Sequence, residues 1–223
     1  MNHSADFPIW LSLRVAGLAL LVVAPVGIGL AWVQARRRYR LRGLVDAAIL
    51  LPLVLPPSVV GFFLVVVFGR RGAVGRWLES ALDLRLVFTP AAAVIASCVV
   101  ALPLLVKTAQ PALEAVPPEL EKVGRSLGLA PLALFFRVTL PSAWRGVAAA
   151  VVLAFARAVG EFGATLMFAG NIPGRTNTMP LEIFAAYQAG EDARALLYVG
   201  VLTAISAAVV LVASVLAPRE VPT

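Results

Sequence analysis

Five long apolar runs divide the chain, at roughly 10–33, 45–68, 86–106, 146–169 and 196–217. Each is close to the ~20 residues a helix needs to cross a bilayer core, so the pattern predicts an all-α protein with five transmembrane helices. Trp10, Trp32, Trp77 and Trp144 fall at or near the ends of these runs, where amphipathic rings favour the headgroup layer. The first run has no basic stretch ahead of it and is too long for a signal-peptide core, so it reads as an uncleaved span. The second carries Pro52, Pro56 and Pro57. Proline lacks the N–H and its ring clashes with the preceding turn, so this helix has to kink or break. The kink serves packing alone, or it marks a helix lining a pathway where the freed carbonyls find partners. The fifth run has no charge and reads as a packing helix.

The longest polar stretch, 107–145, separates the third and fourth runs. Pro117 and Pro118 open a short helix with Glu119 and Glu121 in its first turn, where the helix dipole favours negative charge. Leu120, Val123 and Leu127 recur at helical spacing with Lys122 and Arg125 off that stripe, and Gly128 can close the helix. Ala130-Pro131 restarts a second helix, which Pro141 is expected to stop. Such an amphipathic helix-turn-helix either lies on lipid or docks on a partner.

The composition removes the soluble alternatives. The chain is 61% hydrophobic and 14% charged, against about 45–50% and ~25% in a soluble domain. Its net charge of +7 and pI of about 10.7 would raise nucleic acid as a partner in a soluble protein. In a multi-pass membrane protein the same excess sits in cytoplasmic loops and sets orientation, so no nucleic-acid partner is expected. Placing the N-terminus outside and the C-terminus inside puts eleven of the 19 Lys and Arg in cytoplasmic segments, including Arg36, Arg38, Lys107, Arg125 and Arg219, and six in outer ones. Cys98 is the single cysteine and His3 the single histidine, so neither a disulfide nor a metal centre is expected. An ATP-binding loop of the form G-x-x-x-x-G-K-[ST] is missing, since neither Lys107 nor Lys122 follows a glycine. An intramembrane enzyme would need a nucleophile with a base in reach, and Ser58, Ser97, Ser206 and Ser214 have no evident partner. No catalytic residue is expected.

Arg157 and Glu161 stand inside the fourth run, where an ionised residue at a span centre costs about 2.5–3.5 kcal/mol on insertion scales. Four apart on a continuous helix, they can pair on one face, beside a stripe of small residues at Ala156, Gly160 and Ala164 that would let another helix approach. They either neutralise each other and fix an interface, or Arg157 offers positive charge to an oxyanion in transit while Glu161 keeps the hold weak enough for release.

Gly128, nine residues, then Val138-Thr139-Leu140-Pro141 resembles the signature loop of the permease subunits of ATP-binding-cassette importers, in which Glu-Ala-Ala precedes the glycine. This chain has Lys122-Val123-Gly124 at the Glu-Ala-Ala place, with the acid one position earlier at Glu121. The resemblance implies a type I importer permease domain over 10–217, whose 107–145 loop is a cytoplasmic coupling segment. Glu121, Gly128, Val138, Leu140 and Pro141 would be its coupling residues. The run Ala156 to Thr165, with Gly160 and Gly163, and the run Phe168 to Thr176, with Asn171, Pro173, Gly174 and Arg175, closely resemble the molybdate branch of that family. Sulfate permeases are similar but diverge after Gly170-Asn171. The resemblance implies a molybdate permease in the cytoplasmic membrane, with sulfate or tungstate as alternatives. Its partners would be a second copy of the chain, two ATPase subunits carrying ATP and magnesium, and an external molybdate-binding protein facing the Asn171–Arg175 loop. No cofactor would be bound by the chain itself. An ion-coupled secondary transporter is the lesser alternative, since no repeat links the two halves.

Overall fold

Three of the five apolar runs fold into single helices longer than the runs themselves, and the second and fourth are each broken in two. The computed structural model describes residues 6–37 and 39–216; His3, Arg38, Ala217 and Arg219 lie outside the described residues. Helix α1 covers Asp6–Arg36, α2 Arg42–Val54, α3 Pro57–Phe68, α4 Ala73–Leu82 and α5 Pro90–Glu114. Then come α6 (Pro118–Ser126), α7 (Pro131–Leu134), a π-helical turn (Phe135–Thr139), α8 (Leu140–Val159), α9 (Gly163–Phe168), α10 (Met179–Gln188) and α11 (Asp192–Leu216). Among the described residues, α1, α5, the continuous Pro131–Val159 run and α11 are each long and apolar enough to cross a membrane. The α2–α3 pair is long and apolar enough only when taken together, across a bend of 111°, which gives four spans, or five when the bent pair is counted as one. Its break falls at Leu55-Pro56, because Pro56 and Pro57 cannot donate back to the preceding turn. Pro52 stays inside α2.

Three expectations are corrected. Pro141 does not stop the helix that begins at Pro131: the wider π-helical turn just ahead of it accommodates the ring, and the helix runs on to Val159. With α5 extending to Glu114, the segment between the two spans is much shorter than 107–145. The apolar run 146–169 is also not one helix, since α8 ends at Val159 with Gly160 as its cap and α9 starts afresh at Gly163.

α1 and α5 run parallel: Pro90 and Ala91 share a groove with Phe7 and Leu11 at one end, and Arg36 donates to the Val116 carbonyl just past α5 at the other. We call these the near and far ends. α8 runs back between them, and α11 returns beside it so that Arg145 at the start of α8 donates to the Val215 carbonyl near the end of α11. The main core lies among α1, α5 and α8, around Val23, Leu105, Val106, Val147 and Ala154, and Met179 and Tyr198 join it. A second core at the near end packs α3 and α9 against α1 and α5 through Leu64, Phe168, Leu11 and Val100. Gly61 and Gly163 permit that contact: a Cβ on Gly61 would lie 2.8 Å from Ala164 Cα, and one on Gly163 would lie 2.9 Å from Pro57 Cβ.

Candidate functional site

At the far end, α6 is turned inside out for a helix on a polar surface. Its apolar stripe faces away from the protein, with Leu120, Val123 and Leu127 all exposed, Leu127 to 77%, and Leu132 and Phe136 exposed beside it. Its buried residues are instead Glu121 and Gly124. The helix ends in a glycine cap: Gly128 takes φ of +82°, its N–H reaches the Arg125 carbonyl, and Leu129 N–H reaches the Gly124 carbonyl. Gly124 lets α7 fold back closely over α6: a Cβ there would stand 2.4 Å from Leu134 Cδ1, so a larger residue would make that side chain shift. The expected motif offered no reason to single out Gly124; its place where the family has alanine was the available signal.

Glu121 ties this helix to two spans. Its Oε1 lies 2.9 Å from Arg36 Nε at the end of α1 and accepts a hydrogen bond from Thr139 Oγ1 at 2.8 Å, while its Oε2 pairs with Arg125 at 3.3 Å. Arg36 also donates to the Val116 carbonyl. The acid is therefore consumed inside the chain and is not presented at the surface. Arg36 and Thr139 escaped the sequence reading because their partners lie far away along the chain. Val138 and Leu140 are half-buried on either side of Thr139, and Pro141 is exposed. A neighbouring polar group holds α2 to α5, where Lys107 Nζ lies 2.6 Å from Asp46, which also accepts from the buried Gln34.

The second site is the break between α8 and α9. Arg157 is in the last turn of α8, and Glu161 lies past the Gly160 cap, so the charges sit at a helix end instead of midway along a helix. Arg157 Nη1 stands 2.8 Å from Glu161 Oε2. Glu161 Oε1 accepts from Ala164 N–H at 2.9 Å and thereby satisfies the start of α9. The Glu161 side chain is only 1% exposed and that of Arg157 27%, so the guanidinium meets the buried carboxylate at one edge and leaves its other donors open. The small-residue stripe does not form as expected. Gly160 is exposed, with only the Ala156 carbonyl oxygen within 4 Å of where a Cβ would stand, and the close approach is made by Gly163 with α3.

Beyond α9 the near-end turn is held from within. Gly170 and Gly174 take φ of +69° and +70°. Thr176 Oγ1 accepts from Ile172 N–H and donates to the Gly170 carbonyl, Asn177 Oδ1 accepts from Gly174 N–H, and Asn171 donates to the Leu181 carbonyl. Asn177 also donates to the buried Glu182, which pairs with Arg194. Met179 N–H is satisfied by Ser12 on α1. Pro173 and Arg175 point outward from this braced turn. The segment expected as an outer loop thus contains α10, buried through Met179, Leu181, Glu182 and Ala186.

The described residues form a bundle of four or five spans with a proline-broken α2–α3 pair, a break at a charged pair after α8, and an amphipathic helix showing its apolar stripe at one end. Residues 24–220 match the family described as binding-protein-dependent transport system inner membrane component, and the chain belongs to that family. It is 43% identical over 178 residues to the molybdenum transport system permease protein ModB of Escherichia coli K12, covering 80% of this chain and 78% of that one. It is 40% identical over 200 residues to the ModB of Haemophilus influenzae, covering 88% and 87%. A probable sulfate transport system permease protein of Nephroselmis olivacea is 38% identical over 173 residues, covering 78% of this chain and 61% of that one. Two solved transporters share the fold at 17% identity. One is an inward-facing MetNI methionine ABC transporter, with a TM-score of 0.64 and 95% of both chains covered. The other is a bacterial alginate ABC transporter, with a TM-score of 0.70, covering 94% of this chain and 76% of that one.

Proposed function

We propose that the chain is the membrane subunit of an ATP-driven molybdate importer, with its N-terminus outside and its far end in the cytoplasm. The observation that carries this is α6, whose exposed Leu120, Val123 and Leu127 need an apolar partner, while its only buried acid anchors it to α1 and α8. The partner is an ATPase subunit, one for each of two copies of this chain. The basic residues around the far end, Arg36, Arg42, Lys107, Arg125, Arg137 and Arg145, support its cytoplasmic placement.

In this reading, closure of the ATPase pair moves α6. The Glu121 bonds pass that movement to the end of α1 through Arg36 and to the fourth span through Thr139. The spans rock, and the α2–α3 and α8–α9 breaks are where they bend. Arg157 meets the anion with the donors that Glu161 leaves free, and the paired carboxyl keeps the hold weak enough for release. The braced Asn171–Arg175 turn receives an external binding protein loaded with molybdate. The identity to the ModB proteins supports molybdate as the anion.

The test is uptake of labelled molybdate into vesicles holding the chain with its ATPase and binding protein. Uptake that needs ATP, and is lost with Val123→Asp and Leu127→Asp together with capture of the ATPase, is the expected result. Uptake driven by an ion gradient without the ATPase would overturn it, and equal competition by sulfate would reassign the anion.

A further inference from the structure

At the near end, α1 and α5 leave a groove of about 660 Å³ between them, floored by apolar side chains such as Leu18, Val22, Val94 and Ile95 and bordered by Arg14 and Arg175. Arg14 comes from α1 and Arg175 from the braced turn after α9. Neither guanidinium has an ion pair or hydrogen bond among the described residues. Of the acids toward this end, Glu182 and Glu191 are held by Arg194, and Asp6 lies eight residues up the helix from Arg14, about 12 Å along the axis.

The depth of the groove fits lipid. Trp10, 66% exposed, stands one turn before Arg14 on the same outward face of α1, and an exposed tryptophan at a span end belongs in the headgroup layer. Helical side chains lean toward the N-terminus, so Arg14 extends up to that layer while the apolar floor below it lies at acyl-chain depth. A soluble protein cannot reach this floor. An apolar helix of a second copy, such as the charge-free stretch 195–216, would cover it but give the two guanidiniums no acceptor.

We propose that the groove binds one anionic phospholipid from the near-end leaflet, its phosphate between Arg14 and Arg175 and one acyl chain lying between α1 and α5. The test uses the full chain with Trp32, Trp77 and Trp144 replaced by phenylalanine, so that Trp10 alone reports, in phosphatidylcholine nanodiscs doped with lipid brominated on its acyl chains. Brominated phosphatidylglycerol is expected to quench Trp10 at lower mole fraction than brominated phosphatidylcholine. That preference should fall roughly fivefold per arginine removed, first in Arg175→Gln, an exposed turn position that leaves folding untouched, then in Arg14→Gln with Arg175→Gln. Lysine at both positions should keep it. Equal quenching by the two lipids, or a preference that survives loss of both arginines, overturns the proposal. So does a disulfide-linked dimer formed through Leu18→Cys in a Cys98→Ser background, which would give the groove to a second copy.

Discussion

Arg36 Nε stands 2.9 Å from Glu121 Oε1, an ion pair that pins the last turn of α1 to the first turn of α6 with only 16% and 6% of the two side chains exposed. Thr139 adds its hydroxyl to the same oxygen, so one carboxylate joins three elements that meet nowhere in sequence. Breaking a buried pair by removing one partner costs about 3–5 kcal/mol. Water reaches Arg36 in part, so Glu121→Ala is expected to cost about 2–3 kcal/mol. Glu121→Gln keeps an acceptor for Thr139 and should cost about half as much. Methionine at both 36 and 121 should recover most of the loss, because an apolar pair of similar volume avoids the uncompensated charge. Thermal unfolding of the detergent-purified chain reads all three, and an unchanged midpoint for Glu121→Ala would contradict the geometry.

Leu127 separates docking from folding. At 77% exposure it contributes little to the chain's own stability, so Leu127→Ala should shift thermal unfolding by no more than about 0.5 kcal/mol. If the residue is buried in an ATPase groove, the same substitution removes about 1.5–3 kcal/mol of apolar contact, a ten- to hundredfold weaker complex. Titration of the ATPase onto immobilised chain measures it. Unweakened binding would mean that α6 lies on lipid instead.

Periodicity and proline made much of this architecture legible, and the misses share one cause. Pro56-Pro57 announced the second span's break because a missing N–H acts locally. Pro141 misled for a nonlocal reason: whether a proline ends a helix depends on whether the turn before it can widen, and here a π-helical turn does. The spacing of Arg157 and Glu161 revealed their pairing but not the helix end between them, because Gly160-Glu161-Phe162 has no proline and its break is fixed by α3 packing on α9. Likewise the stripe Leu120, Val123, Leu127 was visible, but the side it faces was not, since Glu121 turns inward only once Arg36 and Thr139 arrive from distant positions.

Gly61 and Gly160 should respond oppositely to the same small change. A Cβ at Gly61 would stand 2.7 Å from Met167 Cβ and 2.8 Å from Ala164 Cα, so Gly61→Ala must push α3 from α9. Overpacking of this kind costs about 1–3 kcal/mol. At Gly160 the nearest atom to a new Cβ is the Ala156 carbonyl oxygen at 3.6 Å, and φ is −84°. Gly160→Ala should therefore be neutral or slightly stabilising through a less flexible unfolded chain. Unfolding midpoints of the two variants, measured side by side, decide whether close approach is made at 61 and 163 or along the α8 face.

The Arg157–Glu161 pair allows stability and transport to be read separately. Glu161→Gln keeps an oxygen for Ala164 N–H and leaves a quarter-exposed guanidinium that water can solvate, so it should cost only about 1–2 kcal/mol. Arg157→Gln strands a carboxyl that is 1% exposed and should cost more, about 2–4 kcal/mol, although Arg157 is the more exposed partner. Glutamine at both positions removes the stranded charge and should restore the unfolding midpoint to near that of Glu161→Gln alone. Molybdate uptake should not recover with it if the guanidinium itself meets the anion, whereas a purely structural pair would regain uptake along with stability. Full uptake by a stable double variant would assign Arg157 to holding the helix break and remove it from the pathway.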